Sequence, residues 1–268
     1  MKRYHGDFCY LTDIGNKRST NEDKALILSN SKGNVLMVVC DGIGGHRRGD
    51  VASSLAMRLL EKAFQKKERF LTLRGAKHWL EKTIRDINET IYNEEKNVPY
   101  NEHMGTTLVA CLLLGSHIIF VNVGDSRAYT LRSNTSGSVY DFEQVTTDDT
   151  IADYLVNIGR ITKEEREQYT SRHVLTNAMG LFPSVRLEMK VLSFKEKKAS
   201  KKENDEYSIS HILLCSDGLF SMVGKEEMIA ALLADEDTEN KVETLITLAK
   251  NNGGDDNIAV ALWEATHA

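Results

Sequence analysis

At residues 35–42 the chain reads Val35-Leu36-Met37-Val38-Val39-Cys40-Asp41-Gly42. The six apolar residues are too few for a typical helix and rich in β-branched side chains, so they predict a buried strand. The strand ends abruptly at an aspartate followed by a glycine. Asp41 is therefore expected at the rigid tip of a strand, where glycine lets a ligand approach the backbone closely.

Three further aspartates lie beside an apolar run with one residue between: Asp125, Asp217 and Asp256. One Asp-Gly pair is ordinary turn chemistry, but four apolar runs that each meet an aspartate are harder to explain in that way. If the four tips converge, their carboxylates would repel one another, and a divalent cation is the simplest neutraliser. Oxygen ligands alone favour Mg²⁺ or Mn²⁺ over Zn²⁺.

Composition narrows the class of protein. The 268 residues include 34 Lys and Arg against 39 Asp and Glu, a formal charge of −5, which argues against a nucleic-acid partner. The longest apolar runs, 108–114 and 228–234, are too short to cross a bilayer, and no membrane partner is expected. The four cysteines form no CxxC pair, so reduced, buried thiols of a cytoplasmic protein are expected.

The predicted elements alternate between groups of strands and groups of helices. Strands are predicted at 35–40, 106–114, 117–123, 127–131, 211–216 and 258–263, and helices at 50–66, 76–96, 151–158, 162–169, 225–234 and 239–251. This order, without a regular strand–helix–strand repeat, predicts an α+β or layered sandwich fold. The lysine-rich segment 195–206 is expected to be a solvated loop between two strands, and a docking surface is the alternative.

A polar segment near the start, residues 13–23, adds Arg18, Glu22 and Asp23 to the acids at the strand tips. Arginine is the side chain suited to two-point recognition of a phosphate group. Acids that hold two metals, together with an arginine, are typical of a phosphoester hydrolase.

Seven motifs follow one another in an order that matches a known family. They are Asp13-x-Gly15-x-x-Arg18-x-x-Asn21-Glu22-Asp23, Asp41-Gly42-Ile43-Gly44-Gly45-His46, Met104-Gly105-Thr106-Thr107, Val123-Gly124-Asp125-Ser126-Arg127, Leu175-Thr176-Asn177-Ala178-Met179-Gly180, Cys215-Ser216-Asp217-Gly218-Leu219 and Asp255-Asp256-Asn257. The chain resembles the metal-dependent protein serine/threonine phosphatases (PPM, type 2C-like), and most of all their compact bacterial members. Because the matches extend from residue 13 to residue 257, the resemblance implies a single catalytic domain over residues 1–268.

The resemblance implies a four-layer α-β-β-α sandwich, in which two antiparallel sheets are flanked by helices and the metal site lies at one edge. It also implies two Mn²⁺ or Mg²⁺ ions per chain and a third, weaker site. Carried over by position, the implied metal ligands, direct or through water, are Glu22, Asp23, Asp41, the Gly42 carbonyl, Asp125, Asp217 and Asp256.

The implied reaction is hydrolysis of phosphoserine and phosphothreonine in proteins, in opposition to an intracellular Ser/Thr kinase. A water bridging two metals, held through Asp41 and Asp217, would attack phosphorus directly. Arg18 would bind and orient the phosphoryl oxygens. The alternative interpretation of Arg18 is a purely structural one, in which it forms a surface ion pair with a local acid. The chain is expected to act as a monomer on phosphoprotein substrates.

Two positions depart from the family pattern. Ile43 occupies the place of a histidine proposed as general acid in eukaryotic members, so the proton would come from a metal-bound water, at the Asp125 site for instance, or from His46. Asp149 replaces the histidine of a Thr-x-Asp-His segment, which puts the packing of that loop in doubt but not the metal site. Residues 150–176 resemble the family's mobile flap, where Ser171 and Arg172 are candidates for substrate contact.

Two other functions remain open from the sequence. A catalytically silent member would act as a binding module, although such members generally lose metal carboxylates and this chain has all of them. A two-metal phosphodiesterase or nuclease is the other, and the acidic charge opposes it.

Overall fold

The computed structural model describes residues 5–44, 48–94, 98, 103–134, 139–197 and 206–266. The strands in chain order are β1 (Gly6–Asp13), β2 (Lys24–Ser29), β3 (Val35–Cys40), β4 (Gly42–Ile43), β5 (Gly105–Thr106), β6 (Leu108–Leu114), β7 (His117–Val123), β8 (Arg127–Asn134), β9 (Val139–Gln144), β10 (Glu188–Ser193), β11 (Lys195–Lys197), β12 (Glu206–Cys215) and β13 (Ile258–Ala265). The helices are α1 (Arg48–Gln65), α2 (Leu73–Glu94), α3 (Ile151–Asn157), α4 (Lys163–Gln168), α5 (Asp217–Phe220), α6 (Lys225–Leu232) and α7 (Thr238–Asn251).

The strands form two large antiparallel sheets. The first has the order β1-β13-β12-β8-β9, with β11 paired to β12, and the second has the order β10-β7-β6-β3-β2. A short ladder pairs β4 with β5. The chain crosses between the two sheets repeatedly, so that residues far apart in sequence meet at the ends of the strands.

Alternate residues of the central strands face different layers, as the two-residue period of a strand requires. In β3, Leu36 and Val38 pack with α1 and α2, whereas Met37 and Val39 pack against the other sheet in the same cluster as Trp263. The outer face of the first sheet is covered by α5, α6 and α7. Because both faces are covered, the central strands are continuous apolar runs.

This arrangement confirms the predicted fold class, an α+β sandwich of four layers with helices on both outer faces. Helix boundaries lie within a few residues of the predicted ones. The predicted capping box is present in the 162–169 helix, since Thr162 N–H donates to Glu165 at 2.7 Å and Glu165 N–H donates to Thr162 Oγ1 at 3.2 Å.

The prediction of a loop over residues 195–206 needs correction at its ends. Lys195–Lys197 form β11, and β12 already begins at Glu206, because the two strands pair antiparallel and Lys195 lies opposite Ser208. The lysines and acids between them, residues 198–205, lie outside the described residues. In the part of the chain that the structure describes, no helix is long and apolar enough to cross a membrane.

Candidate metal and phosphate site

The tips of β3 and β7 are tied together through Thr107. The Asp41 N–H donates to Thr107 Oγ1 at 3.0 Å, and the Thr107 N–H donates to the Asp41 carbonyl at 2.8 Å. Thr107 Oγ1 also lies 2.7 Å from Ser126 Oγ, next to Asp125. Gly124 has φ +98°, and a Cβ there would lie 2.7 Å from Thr107 Cγ2, so the turn that presents Asp125 requires glycine.

The tips of β12 and β13 are joined in a similar way on the first sheet. The Ser216 hydroxyl donates to Asp23 Oδ2 at 2.6 Å and accepts from Ala259 N–H at 2.9 Å. A Cβ on Gly218 would collide with the Asn257 carbonyl. The turn that carries Asp217 therefore packs directly against the turn that carries Asp256.

The segment that contains Arg18, Glu22 and Asp23 is fixed by Asn257. Its side-chain oxygen accepts from Glu22 N–H at 2.8 Å, and its Nδ2 donates to the carbonyls of Ile14 and Thr20, both at 2.9 Å. Glu22 also abuts the start of α1, because a Cβ on Gly49 would collide with its carboxylate. The asparagine after Asp256 therefore aligns the N-terminal acids with the strand tips.

We call these six side chains the acid cluster: Glu22, Asp23, Asp41, Asp125, Asp217 and Asp256. Burial is the largest cause that raises the pKa of Asp23 to about 7, that of Asp125 to about 8, and that of Asp41 well above its ordinary value. Neighbouring carboxylates add to each rise, since Asp217 repels all three. The buried members of the cluster are thus close enough to oppose one another's ionisation.

The acid cluster fits a hard divalent cation. Its donors are all oxygens, and among the described residues no direct ion pair offsets Asp23, Asp41 or Asp217, whereas Asp256 pairs with Arg18. Within the same described residues, no three Asp, Glu, His or Cys side chains are arranged so that they could hold a metal ion together. The members are instead linked through hydroxyl and amide groups, which hold them near one another.

Arg18 lies at the edge of the acid cluster. Its Nη2 is 2.6 Å from Asp256 Oδ2, both side chains are partly exposed, and this hydrogen bond raises the pKa of Arg18. Arg18 forms the ion pair with a local acid that the sequence offered as one interpretation, and that acid is itself a predicted metal ligand. Arg18 also lines the cavity that opens over the cluster, and its role in binding phosphate stays a prediction.

A cavity of about 630 Å³ opens over the cluster. The core side contributes Arg18 and Asp217, and the flap segment 150–176 contributes Arg172 and His173. Ser171 is not among the residues that line it, and His46 lies outside the described residues. Ile43 is half-buried in the short β4 ladder and carries no titratable group.

His173 was not singled out by sequence patterns, although the flap assignment points to its neighbourhood. It lines the cavity, and its charge lowers the pKa of Asp217, against the larger opposing effects of burial and of Asp256. A histidine on a segment predicted to be mobile gives no signal of its own, because only the fold brings the flap over the strand tips.

A buried ionic network lies under the flap, and no sequence pattern predicted it. Asp148 is 3% exposed in its side chain and accepts from Arg127 and Arg166, whose Nη2 atoms lie 2.7 Å and 3.1 Å from Asp148 Oδ2. Arg166 also binds Asp153 of α3 at 2.7 Å. The flap helices are thus anchored to β8 beside the cavity.

The structure resolves the doubt about Asp149, the residue at the family's histidine position. Its carboxylate accepts from Gly124 N–H at 3.1 Å and from Asn177 Nδ2 at 2.7 Å, and it pairs with Arg186. The loop therefore remains packed, and Asp149 supports the backbone immediately before Asp125.

Comparison with known proteins agrees with this geometry. The family model described as "Protein phosphatase 2C" matches residues 15–256. The serine/threonine phosphatase stp of Listeria monocytogenes is 35% identical over 97% of this chain and 95% of that protein. Protein phosphatase PhpP of Streptococcus pneumoniae is 29% identical over 94% of both.

Solved structures give the same result. Serine/threonine phosphatase Stp1 of Staphylococcus aureus superposes with a TM-score of 0.84 at 30% identity, covering 100% of this chain and 98% of that one. The catalytic domain of the serine threonine protein phosphatase PstP, in complex with two manganese ions, superposes with a TM-score of 0.75 at 30% identity, covering 98% and 99%. The chain therefore belongs to the protein phosphatase 2C family of protein serine/threonine phosphatases.

Proposed function

We propose that this chain, as a single catalytic domain, hydrolyses phosphoserine and phosphothreonine in proteins with two Mn²⁺ or Mg²⁺ ions at the acid cluster. The observation that carries the proposal is that Asp125, Asp217 and Asp256 line one cavity together with Arg18, while Asp23 and Asp41 lie close enough to Asp217 to repel its charge. Carboxylates that repel one another in a buried cleft are stabilised by a cation and give it oxygen ligands.

Each ligand has a defined place in the proposal. Asp41, Asp217 and Asp256 would hold one ion, and Asp41, the Gly42 carbonyl and Glu22 would hold the other. Asp23, fixed by Ser216, would orient their water ligands, and Asp125 with Asp217 would form the third, weaker site. When bound, the ions would lower the pKa of a shared water, which would attack phosphorus directly, and offset the charge of the phosphoryl group.

The chain's own residues supply binding and orientation. Arg18 would exchange part of its contact with Asp256 for the phosphoryl oxygens, which fixes the phosphorus in line for attack. The flap residues Arg172 and His173 would close the cavity from the other side and exclude bulk water. Ile43 can hold no proton, whereas His173 lines the cavity and would donate the proton that the leaving oxygen needs.

The test measures hydrolysis of a phosphothreonine peptide with Mn²⁺, with Mg²⁺ and with EDTA. We expect turnover that depends on the metal, is abolished in Asp41→Asn and Asp217→Asn, and is retained in the exposed control Asp86→Asn. Full activity in EDTA, or no activity with any divalent metal, would contradict the proposal; the second result would favour a silent binding module. Faster cleavage of bis(p-nitrophenyl) phosphate than of the peptide would favour a phosphodiesterase.

The cellular role follows from the same chemistry. We propose that the enzyme acts as a monomer and opposes an intracellular Ser/Thr kinase. Phosphoproteomics of a deletion strain beside a kinase deletion should show the same sites changing in opposite directions. Disjoint sets of sites would contradict the pairing, and light scattering of the purified chain would test the monomer.

A further inference from the structure

The α1–α2 connection, at the end of the sandwich opposite the acid cluster, is strongly basic. Residues 62–77 contain six basic side chains and one acidic one, Glu68. The six are Lys62, Lys66, Lys67, Arg69, Arg74 and Lys77. In the described part of the chain none of them takes part in an ion pair. This concentration of charge stands out in a chain whose formal charge is −5.

The fold adds a basic residue from a second element. Asn30 Nδ2 donates to the Lys67 carbonyl at 3.4 Å, which places the β2–β3 turn beside the α1–α2 connection. That turn carries the exposed Lys32. We call Lys32 and the six basic residues of 62–77 the basic end.

An apolar residue projects from the middle of the basic end. Leu71 is 77% exposed, the largest value among the exposed apolar side chains of the described residues. Its neighbour Phe70 packs edge-on against Trp79 with ring centroids 5.1 Å apart, and Lys67 lies over the Phe70 ring. Phe70 therefore anchors the α1–α2 connection, and the adjacent Leu71 faces solvent, between Arg69 and Arg74 in the sequence.

The basic end lies far from the catalytic cavity. Helix α1 begins at the Gly42 and Glu22 side of the acid cluster and ends at Gln65. Its 18 residues span about 27 Å at 1.5 Å per residue. A flat partner at the basic end would therefore leave the cavity open on the opposite side.

We propose that the basic end docks on the surface of a membrane that contains anionic lipids. Clustered Lys and Arg are attracted to anionic headgroups, and an apolar side chain can enter the boundary below them. An acidic protein segment would match the charge of the basic end, but it would give the apolar side chain of Leu71 no apolar surface to contact. The sequence expectation of no membrane partner rested on apolar runs too short to cross a bilayer, and a surface contact needs no such run.

The test is sedimentation of the full chain with vesicles of phosphatidylglycerol and phosphatidylcholine, and with phosphatidylcholine alone. We expect binding to the anionic vesicles only, weakened by added salt. The double variant Lys66→Gln/Arg69→Gln should bind roughly 25-fold more weakly, at roughly fivefold for each charge. Leu71→Ser should bind roughly fivefold more weakly.

The matched control is Lys82→Gln/Lys225→Gln, which removes the same charge outside the basic end and should bind as the unmodified chain does. Melting temperatures would show that all variants are folded, independently of activity. No binding to anionic vesicles, or an equal loss in the control, would overturn the proposal. So would full competition by poly-glutamate together with an unchanged Leu71→Ser, because an acidic protein would then be the partner.

Discussion

Asp148 provides a sharp test of how the flap is anchored. The change is Asp148→Asn, which preserves shape but removes the charge that two arginines share. Asp148 accepts from Arg127 at 2.7, 3.0 and 3.1 Å, from Arg166 at 3.1 Å and from Gln144 at 2.9 Å. Removing one partner of a buried ion pair costs about 3–5 kcal/mol, because it leaves an uncompensated charge.

The pKa shifts of the two partners disagree about how much the pair stabilises the fold. Burial raises the pKa of Asp148 despite the two arginines, so its ionised form costs more to bury than they return. Burial lowers the pKa of Arg127, but Asp148 and Tyr129 together outweigh it, so the pKa of Arg127 is also raised. The shift of Asp148 indicates that the ion pair stabilises the fold little, whereas the shift of Arg127 indicates that it stabilises the fold. We therefore expect Asp148→Asn to lower the free energy of unfolding by about 3 kcal/mol, the lower end of the range.

The assay is urea unfolding of the metal-free protein, with Asp86→Asn as the control. Asp86 pairs with Lys82 at 2.6 Å, but both side chains are more than half exposed, so its loss should be below about 0.5 kcal/mol. We also expect KM for a phosphopeptide to rise in Asp148→Asn, because the flap helices lose their anchor. The reasoning is refuted if the two variants unfold within about 0.5 kcal/mol of each other.

Gly124→Ala should cost about 2 kcal/mol and weaken Mn²⁺ binding measured by calorimetry, because φ is +98° and Thr107 blocks a Cβ. Gly159→Ala, with φ +69° and open space, should cost about 1 kcal/mol and leave Mn²⁺ binding unchanged; equal effects would contradict the steric argument. His173→Gln should lower kcat on a phosphothreonine peptide about 100-fold and barely affect p-nitrophenyl phosphate, whose leaving group departs unprotonated; equal losses on both would exclude proton donation. Burial alone would raise the pKa of Glu264, but His211, whose Nε2 lies 3.3 Å from Glu264 Oε1, and the buried Lys241, which binds the carboxylate at 2.7 Å, lower it. The folded state therefore binds this proton less tightly than the unfolded state does. The stability that Glu264 adds is therefore present above about pH 4.5 and lost as the pH falls through the lowered pKa. Glu264→Gln should flatten the acid limb of a stability profile, and an unchanged limb would contradict this assignment.

The central strands could be predicted from the sequence, whereas the edge strands could not. The strands β3, β6, β7, β12 and β13 are buried on both faces and appear as apolar runs. The edges of the two sheets are β1, β9, β10 and β2. Each edge strand buries less of its surface, as in the alternating exposure of β10, and none of them has an apolar run longer than four residues.

The acids at the strand tips were also predictable, because an apolar run that ends in an aspartate is a local pattern. The sequence could not predict which of these acids are most deeply buried. Burial depends on distant partners such as Ser216, which binds Asp23 but lies 193 residues away in the sequence. His173 and the Asp148 network needed the fold for the same reason. The family motif alone could not show whether the loop tolerates Asp149 in place of histidine. In the fold, Asn177 and Arg186 bind the Asp149 carboxylate and keep the loop packed.

The sequence by itself determined which residues are the candidates for the chemistry: apolar runs meet aspartates, and Arg18 lies in a polar segment near the start. Only the tertiary structure decided that these carboxylates oppose one another's ionisation, because repulsion depends on distance and burial, which the antiparallel pairing of distant strands creates. It also decided that Lys32 lies beside the basic α1–α2 connection, because the fold brings the β2–β3 turn against Lys67.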